Sequence, residues 1–149
     1  MIVAAFLSAI HVLALGLGLG SVFMRGRALA GRLDEEGWKR LLAADAAWGA
    51  AAGLWIVSGL GRVFFGGKEP GFYWRNGFFW MKLALFGAIF LLELAPMITF
   101  TRVRKARGKG LPPPGFSVEA YRRINAVEVG LVVAIVFLAA FMARGAWLF

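Results

Sequence analysis

The sequence predicts an all-α fold, an integral membrane four-helix bundle, and three observations carry that expectation. Hydrophobic residues make up 60% of the 149 residues and charged ones only 17%, a composition that cannot clothe a water-facing surface. Four apolar segments, near 2–24, 41–65, 77–101 and 119–143, are each long enough to cross a hydrocarbon core of roughly 30 Å at about 1.5 Å per residue. The basic residues behind the net charge of +9 fall mostly between these blocks, where orientation signals lie. The chain therefore reads as a single four-span transmembrane domain over 1–149.

The first segment, IVAAFLSAIHVLALGLGLGSVFM, has no Lys or Arg ahead of its apolar run. A secretory signal peptide carries such charges, so a retained span is expected. Its GLGLGS run departs from G-x-G-x-x-G and follows no strand, which removes a dinucleotide-loop reading. Gly16 with Gly20 in this span, and Gly49 with Gly53 in the second, form small-xxx-small faces. Such faces let helices approach closely within the bundle, or serve a homo-oligomer. The third span, FFWMKLALFGAIFLLELAPMITF, carries Lys82 and Glu93 among apolar residues and a Pro96 expected to kink it. The fourth ends near residue 143 with no charge in its second half.

The connections orient the bundle. The first holds Arg25, Arg27, Arg32, Lys39 and Arg40, and the third holds Arg102, Arg104, Lys105, Arg107, Lys109, Arg122 and Arg123. The other side has only Arg62, Lys68, Arg75 and Arg144. This asymmetry predicts two cytoplasmic basic loops and both termini outside. The loop TRVRKARGKGLPPPG is first of all a topology signal and also a candidate contact for anionic lipid heads; its three prolines stop helix from continuing through it. The remaining connection, GRVFFGGKEPGFYWRNGFFW, has Gly66, Gly67, Pro70 and Gly71 for turns. Its Phe64, Phe65, Phe72, Tyr73 and Trp74 suit an aromatic belt, or a basic mouth for an amphipathic acid.

Several chemistries are excluded. Without cysteine there is no disulfide, thiolate metal site or thiol nucleophile. A single histidine offers no paired zinc ligands, and no nucleophile elbow is visible. The bilayer accounts for the positive charge, so no nucleic-acid partner is expected.

Helical periodicity gathers the polar residues onto one face of each span. Lys82 and Glu93, eleven residues apart, share a face with Phe86 and Ile89. The second span aligns Asp45, Trp48, Ala52, Trp55 and Gly59; the fourth aligns Tyr121, Asn125, Glu128, Val132 and Ile135; the first aligns Ser8, His11, Leu15 and Gly18. Depth divides the groups into two layers. His11, Trp55, Lys82 and Arg62 belong to the outer half, and Asp45, Glu93 and Glu128 to the inner half. The carboxylates have a structural role open to them, pairing with Arg25, Arg27, Lys39 or Arg123, and a proton route as the sharper alternative. Lys82 either snorkels to headgroups or binds a ligand. His11 is either a hydrogen-bonded helix contact or an axial haem ligand.

The stretches HVLALGLG, AADAAWGAAAGLW and GLGRVFFGGKEPGFYWRNGFFWMKLALF, with Glu93, resemble the uncharacterised bacterial membrane family known as domain of unknown function 2214 over nearly the whole chain. That likeness implies the four-span architecture in a bacterial inner membrane and no particular chemistry. More distantly, AIHVLALG, FWMKLAL and YRRINAVEVGLVVAIVFL are similar to the HemJ-type protoporphyrinogen oxidases. Those are small membrane proteins thought to bind haem and pass electrons to a quinone. Where that family's third span reads roughly W-x-H-x-K, this chain has Phe78, Trp80 and Lys82, so the lysine is kept and tryptophan stands at the histidine place. The resemblance implies a tetrapyrrole-facing or iron-facing His11, Lys82 as the cation beside it, and Asn125 as the polar residue opening the last helix.

Two functions from different classes follow. In the first, a membrane oxidoreductase holds haem b or another tetrapyrrole near His11, Trp55, Trp80 and Phe86, its propionates toward Arg62, Lys68 or Lys82 and Met81 or an open position completing the iron. In the second, a non-enzymatic protein uses Asp45, Glu93, Glu128 and Lys82 as a proton or ion route, or as contacts for assembly into a membrane complex.

Overall fold

The computed structural model describes residues 1–66 and 68–147. Its helices are α1 (Ile2–Ala30), α2 (Glu35–Phe65), the short α3 (Pro70–Trp74), α4 (Gly77–Gly108) and α5 (Val118–Ala143), with no strand element among the described residues. The four long helices are each long and apolar enough to cross a membrane. One end of the bundle carries the chain termini and the 66–76 connection; the other, the basic-loop end, carries 31–34 and 109–117.

At the basic-loop end the helices overrun the expected spans. The first connection shrinks to 31–34, so Arg25 and Arg27 belong to α1 and Lys39 and Arg40 to α2, rather than to a loop. The reason is length. The 29 residues of α1 extend about 43 Å at 1.5 Å per residue, which covers headgroup regions as well as hydrocarbon. Arg102, Arg104, Lys105 and Arg107 likewise continue α4. The helix starts are capped by the sequence itself: Asp34 accepts from Gly37 N at 2.9 Å, Asn76 from Phe78 N at 3.0 Å and Ser117 from Ala120 N at 3.2 Å, each satisfying an orphan donor. Gly110 takes φ 68 just beyond α4, and the three prolines follow in coil, as expected.

The connection at the termini end is more ordered than its turn residues suggest. Gly66 does end α2, and the turn expected at Gly67 lies outside the described residues. Pro70 and Gly71 do not turn the chain; they open α3, since proline at a first helical position loses no hydrogen bond. Tyr73 is buried, and its hydroxyl donates to the Arg62 carbonyl at 3.2 Å. Phe64, Phe65 and Trp74 stay exposed. The C-terminal turn folds back onto the start of α4: Gly77 N donates to Trp147 O at 3.1 Å and Asn76 Nδ2 to Ala146 O at 2.9 Å. The Trp147 ring lies where a Cβ on Gly77 would be, 2.5 Å away.

Packing runs α2, α1, α5, α4 around the bundle, with the α1–α2 interface the most extensive and α2 and α4 in only loose backbone contact. Large rings fill that looser seam: Trp48, Trp55 and Phe86 join Ala14, Val22, Ile89, Val132 and Ile135 in one apolar layer. A second layer, nearer the basic loops, holds Ala28, Leu29, Trp38, Leu41, Phe100 and Val103. The small-residue faces are not where close approach happens. Nothing lies within 4 Å of a Cβ built on Gly16, Gly20, Gly49 or Gly53. Close approach falls instead at Gly18, Gly26 and Gly61, whose would-be Cβ atoms lie 3.3 Å from the Trp48 ring, 2.6 Å from Asn125 Nδ2 and 2.9 Å from the Leu7 side chain. A two-residue offset turns a helix by about 200°, which puts Gly16 and Gly20 on the side opposite Ala14 and Gly18. Helix α4 continues unbroken through the buried Pro96. Beside it the Tyr121 hydroxyl donates to Ala95 O at 3.2 Å and lies 2.7 Å from Thr99 Oγ1, across the α4–α5 interface.

A candidate functional site built on Arg25

Between the two apolar layers, each spanning helix contributes a polar side chain to one cluster. Its hub is Arg25, from α1 and 1% exposed. The guanidinium donates from Nε to Asn125 Oδ1 at 2.9 Å, from Nη1 to Asp45 Oδ1 at 3.2 Å and from Nη1 to both Glu93 oxygens at 2.8 and 2.9 Å. Its Nη2 donates to Glu128 Oε2. Asp45 comes from α2, Glu93 from α4, and Asn125 and Glu128 from α5, so one planar donor fork ties four helices together. A lysine, with its single ammonium, could not reach the same set.

Further groups complete the cluster. Arg104 Nη2 donates to Asp45 Oδ2 at 2.6 Å and to Leu42 O at 3.0 Å. Trp48 Nε1 donates to Glu93 Oε2 at 3.2 Å, while its ring lies beneath Arg25, 6.0 Å from centroid to guanidinium carbon. Asn125 is fixed from both ends, its Nδ2 donating to Val22 O at 3.0 Å. Three carboxyls thus meet two guanidiniums. Among the described residues one acceptor is left over: Glu128 Oε1 is buried with no hydrogen-bond partner. Glu128 is 0% exposed whereas the side chains of Glu93 and Arg104 are 18% and 37% exposed, so the cluster is most enclosed at Glu128 and least at Arg104.

The acids expected in the inner layer, Asp45, Glu93 and Glu128, therefore meet, with Asn125 among them. Of the cations considered as their partners, Arg25 fills the role; Arg104, from the helical extension of α4, is one that sequence reasoning missed. The signal for Arg25 was present. It stands seven residues after Gly18 and fourteen after His11, on the same face of α1, but just past the end assigned to that span.

The outer layer is a separate site. His11 Nδ1 lies 2.9 Å from Ser58 Oγ, and Ser58 Oγ lies 2.5 Å from Leu54 O. That short approach commits the hydroxyl hydrogen to the carbonyl, so His11 is the donor through Nδ1 and its Nε2 carries the lone pair. Ser58 was not anticipated. Trp55 joins His11 with ring centroids 6.0 Å apart and Phe86 at 5.9 Å. Lys82 stands 5.9 Å over the Phe79 ring, and Arg62 offers its backbone carbonyl to the Tyr73 hydroxyl at 3.2 Å. Trp80 does not belong here. It is exposed, and its Nε1 donates to Trp74 O at 3.1 Å on the outside of the bundle; two residues from Lys82, it is turned about 200° from the inward face. Met81 is exposed as well.

An imidazole nitrogen with no partner among the described residues is the right donor chemistry for a tetrapyrrole. Space is the difficulty, because His11, Trp55 and Phe86 already pack on one another and a macrocycle between them needs those rings to part. Among the described residues no group of three or more His, Asp or Glu could hold a metal ion.

Fold and site together define a four-span helix-bundle membrane protein with a buried ionic cluster. Residues 3–146 match the family described as "Predicted membrane protein (DUF2214)". The chain belongs to that family. No curated protein and no solved structure matches it.

Proposed function

We propose that the chain is a non-enzymatic membrane protein that takes up and releases protons at the Arg25-centred cluster. One observation carries this reading: an excess carboxyl in a site enclosed by apolar layers, with Glu128 Oε1 buried and unpartnered. An uncompensated carboxylate in such surroundings is costly, and one proton restores balance to the cluster. Glu93, the less enclosed of the two glutamates, is the point of exchange, and Glu128 is the internal acceptor. The excess of Lys and Arg at the basic-loop end favours its lying in the cytoplasm, in a bacterial inner membrane.

The test is proton flux into liposomes containing the purified protein and a trapped pH dye, under an imposed gradient. Glu93→Gln and Glu128→Gln abolish the flux, whereas His11→Ala leaves most of it. Flux equal to that of empty vesicles would refute the proposal, as would flux unaffected by either glutamine.

A second reading has its own observation, a His11 imidazole held through Nδ1 by Ser58, with no partner at Nε2 among the described residues. Here the termini end holds haem b or another tetrapyrrole, in line with the HemJ-type resemblance. It predicts a Soret band in the purified protein, or after addition of haemin, that is lost in His11→Ala and unchanged in Glu128→Gln.

A further inference from the structure

We infer that the groove between α1 and α5 at the basic-loop end binds one anionic phospholipid from the surrounding bilayer. The groove has a volume of about 360 Å³ and is lined by Phe23, Gly26, Arg27, Arg122, Asn125 and Ala126, among others. Its polarity is ordered with depth. Arg27 lies in the last turn of α1 and Arg122 in the second turn of α5, so two guanidiniums line the rim where both helices leave the apolar core. Because the helices are antiparallel, the residue one turn deeper on each is apolar: Phe23 beneath Arg27, and Ala126 beneath Arg122.

Both cations have donors to spare. Among the described residues Arg27 forms no ion pair, and Arg122 has only a long contact to Glu119, at 3.5 Å. Asn125 forms a rigid floor, held by Arg25 and Val22 O. Gly26 permits the two helices to close over it, since a Cβ there would fall 2.6 Å from Asn125 Nδ2. A phosphate between two arginines with an acyl chain along Phe23 and Ala126 matches this order of charge and apolar surface. A free phosphate would leave the apolar strip uncovered.

Native mass spectrometry of the detergent-solubilised full chain, equilibrated with phosphatidylglycerol or phosphatidylcholine, tests the site. One phosphatidylglycerol per chain is retained in preference to phosphatidylcholine. Arg27→Gln with Arg122→Gln weakens retention about 30-fold, the combined effect of two cations near a charged surface. Ala126→Trp, which fills the strip and leaves the charges in place, also expels the lipid. Lys105→Gln with Lys109→Gln, elsewhere at the same end, leaves retention unchanged. Equal retention of phosphatidylcholine would overturn the inference, as would an equal loss in the Lys105/Lys109 variant. Displacement by glycerol phosphate at the lipid's own concentration would overturn it too, by identifying a soluble ligand.

Discussion

Replacing Arg25 with methionine is the most direct perturbation of this protein, because it removes the hub and keeps the side chain's approximate length. Three carboxyls would be left with Arg104 as their only cation, and the Asn125 carbonyl would lose its donor. Removing one partner of a buried ion pair costs about 3–5 kcal/mol. The fully enclosed Glu128 argues for the upper part of that range, while the partial exposure of Glu93 tempers it. The assay is unfolding of the purified protein in mixed micelles by titrated denaturing detergent, followed by Trp fluorescence. Arg27→Met serves as the exposed control and costs under about 1 kcal/mol. A second variant separates lost pairing from lost packing: Arg25→Met with Glu128→Met recovers much of the deficit, since a buried pair replaced by apolar side chains is often neutral. Unfolding of Arg25→Met at the same point as Arg27→Met would refute a hub role for Arg25, as would a double variant worse than the single by a full charge-burial cost.

Other consequences are open to measurement. Gly26→Ala drives a methyl into Asn125 Nδ2 and destabilises the chain by about 1–3 kcal/mol, whereas Gly16→Ala and Gly20→Ala meet open space and leave the same unfolding curve within about 0.5 kcal/mol of the parent. Ser58→Ala removes the acceptor of His11 Nδ1 and costs about 1 kcal/mol; nitrogen NMR of labelled histidine then shows faster exchange of that proton. Arg107→Gln breaks the exposed pair with Glu35, and thermal melts shift by no more than about 1 kcal/mol equivalent.

How much of this was legible in the sequence differs from layer to layer. Composition and span length carry the four helices, because a bilayer imposes its thickness on any apolar segment. The inward faces were also readable: Asn125, Glu128, Val132 and Ile135 lie buried in α5 as their spacing requires. Helix ends were less readable. Apolarity stops near residue 24, but the backbone continues helical to Ala30 through residues that are themselves charged. From the sequence Arg25 therefore reads as a loop residue, one of several possible partners for the acids. The glycine pattern left two uses open, and the one within the bundle is not taken up at Gly16, Gly20, Gly49 or Gly53. A four-residue spacing specifies a stripe but not which way it faces, and only the bulk of Trp48 against Gly18 decides that. Ser58 had no signature at all, being one hydroxyl on an apolar helix whose use depends on where α1 docks.

The distribution of charges along the chain also bears on biogenesis. When only the first hairpin has left the insertion machinery, Arg25 and Asp45 offer each other a counterion, and the nascent pair enters lipid close to neutral. The second hairpin arrives carrying Glu93 and Glu128, whose guanidinium partner lies in the segment made earlier. Joining the two halves thus brings opposite charges together in both directions: Arg25 of the first meets Glu93 and Glu128 of the second, and Arg104 of the second meets Asp45 of the first.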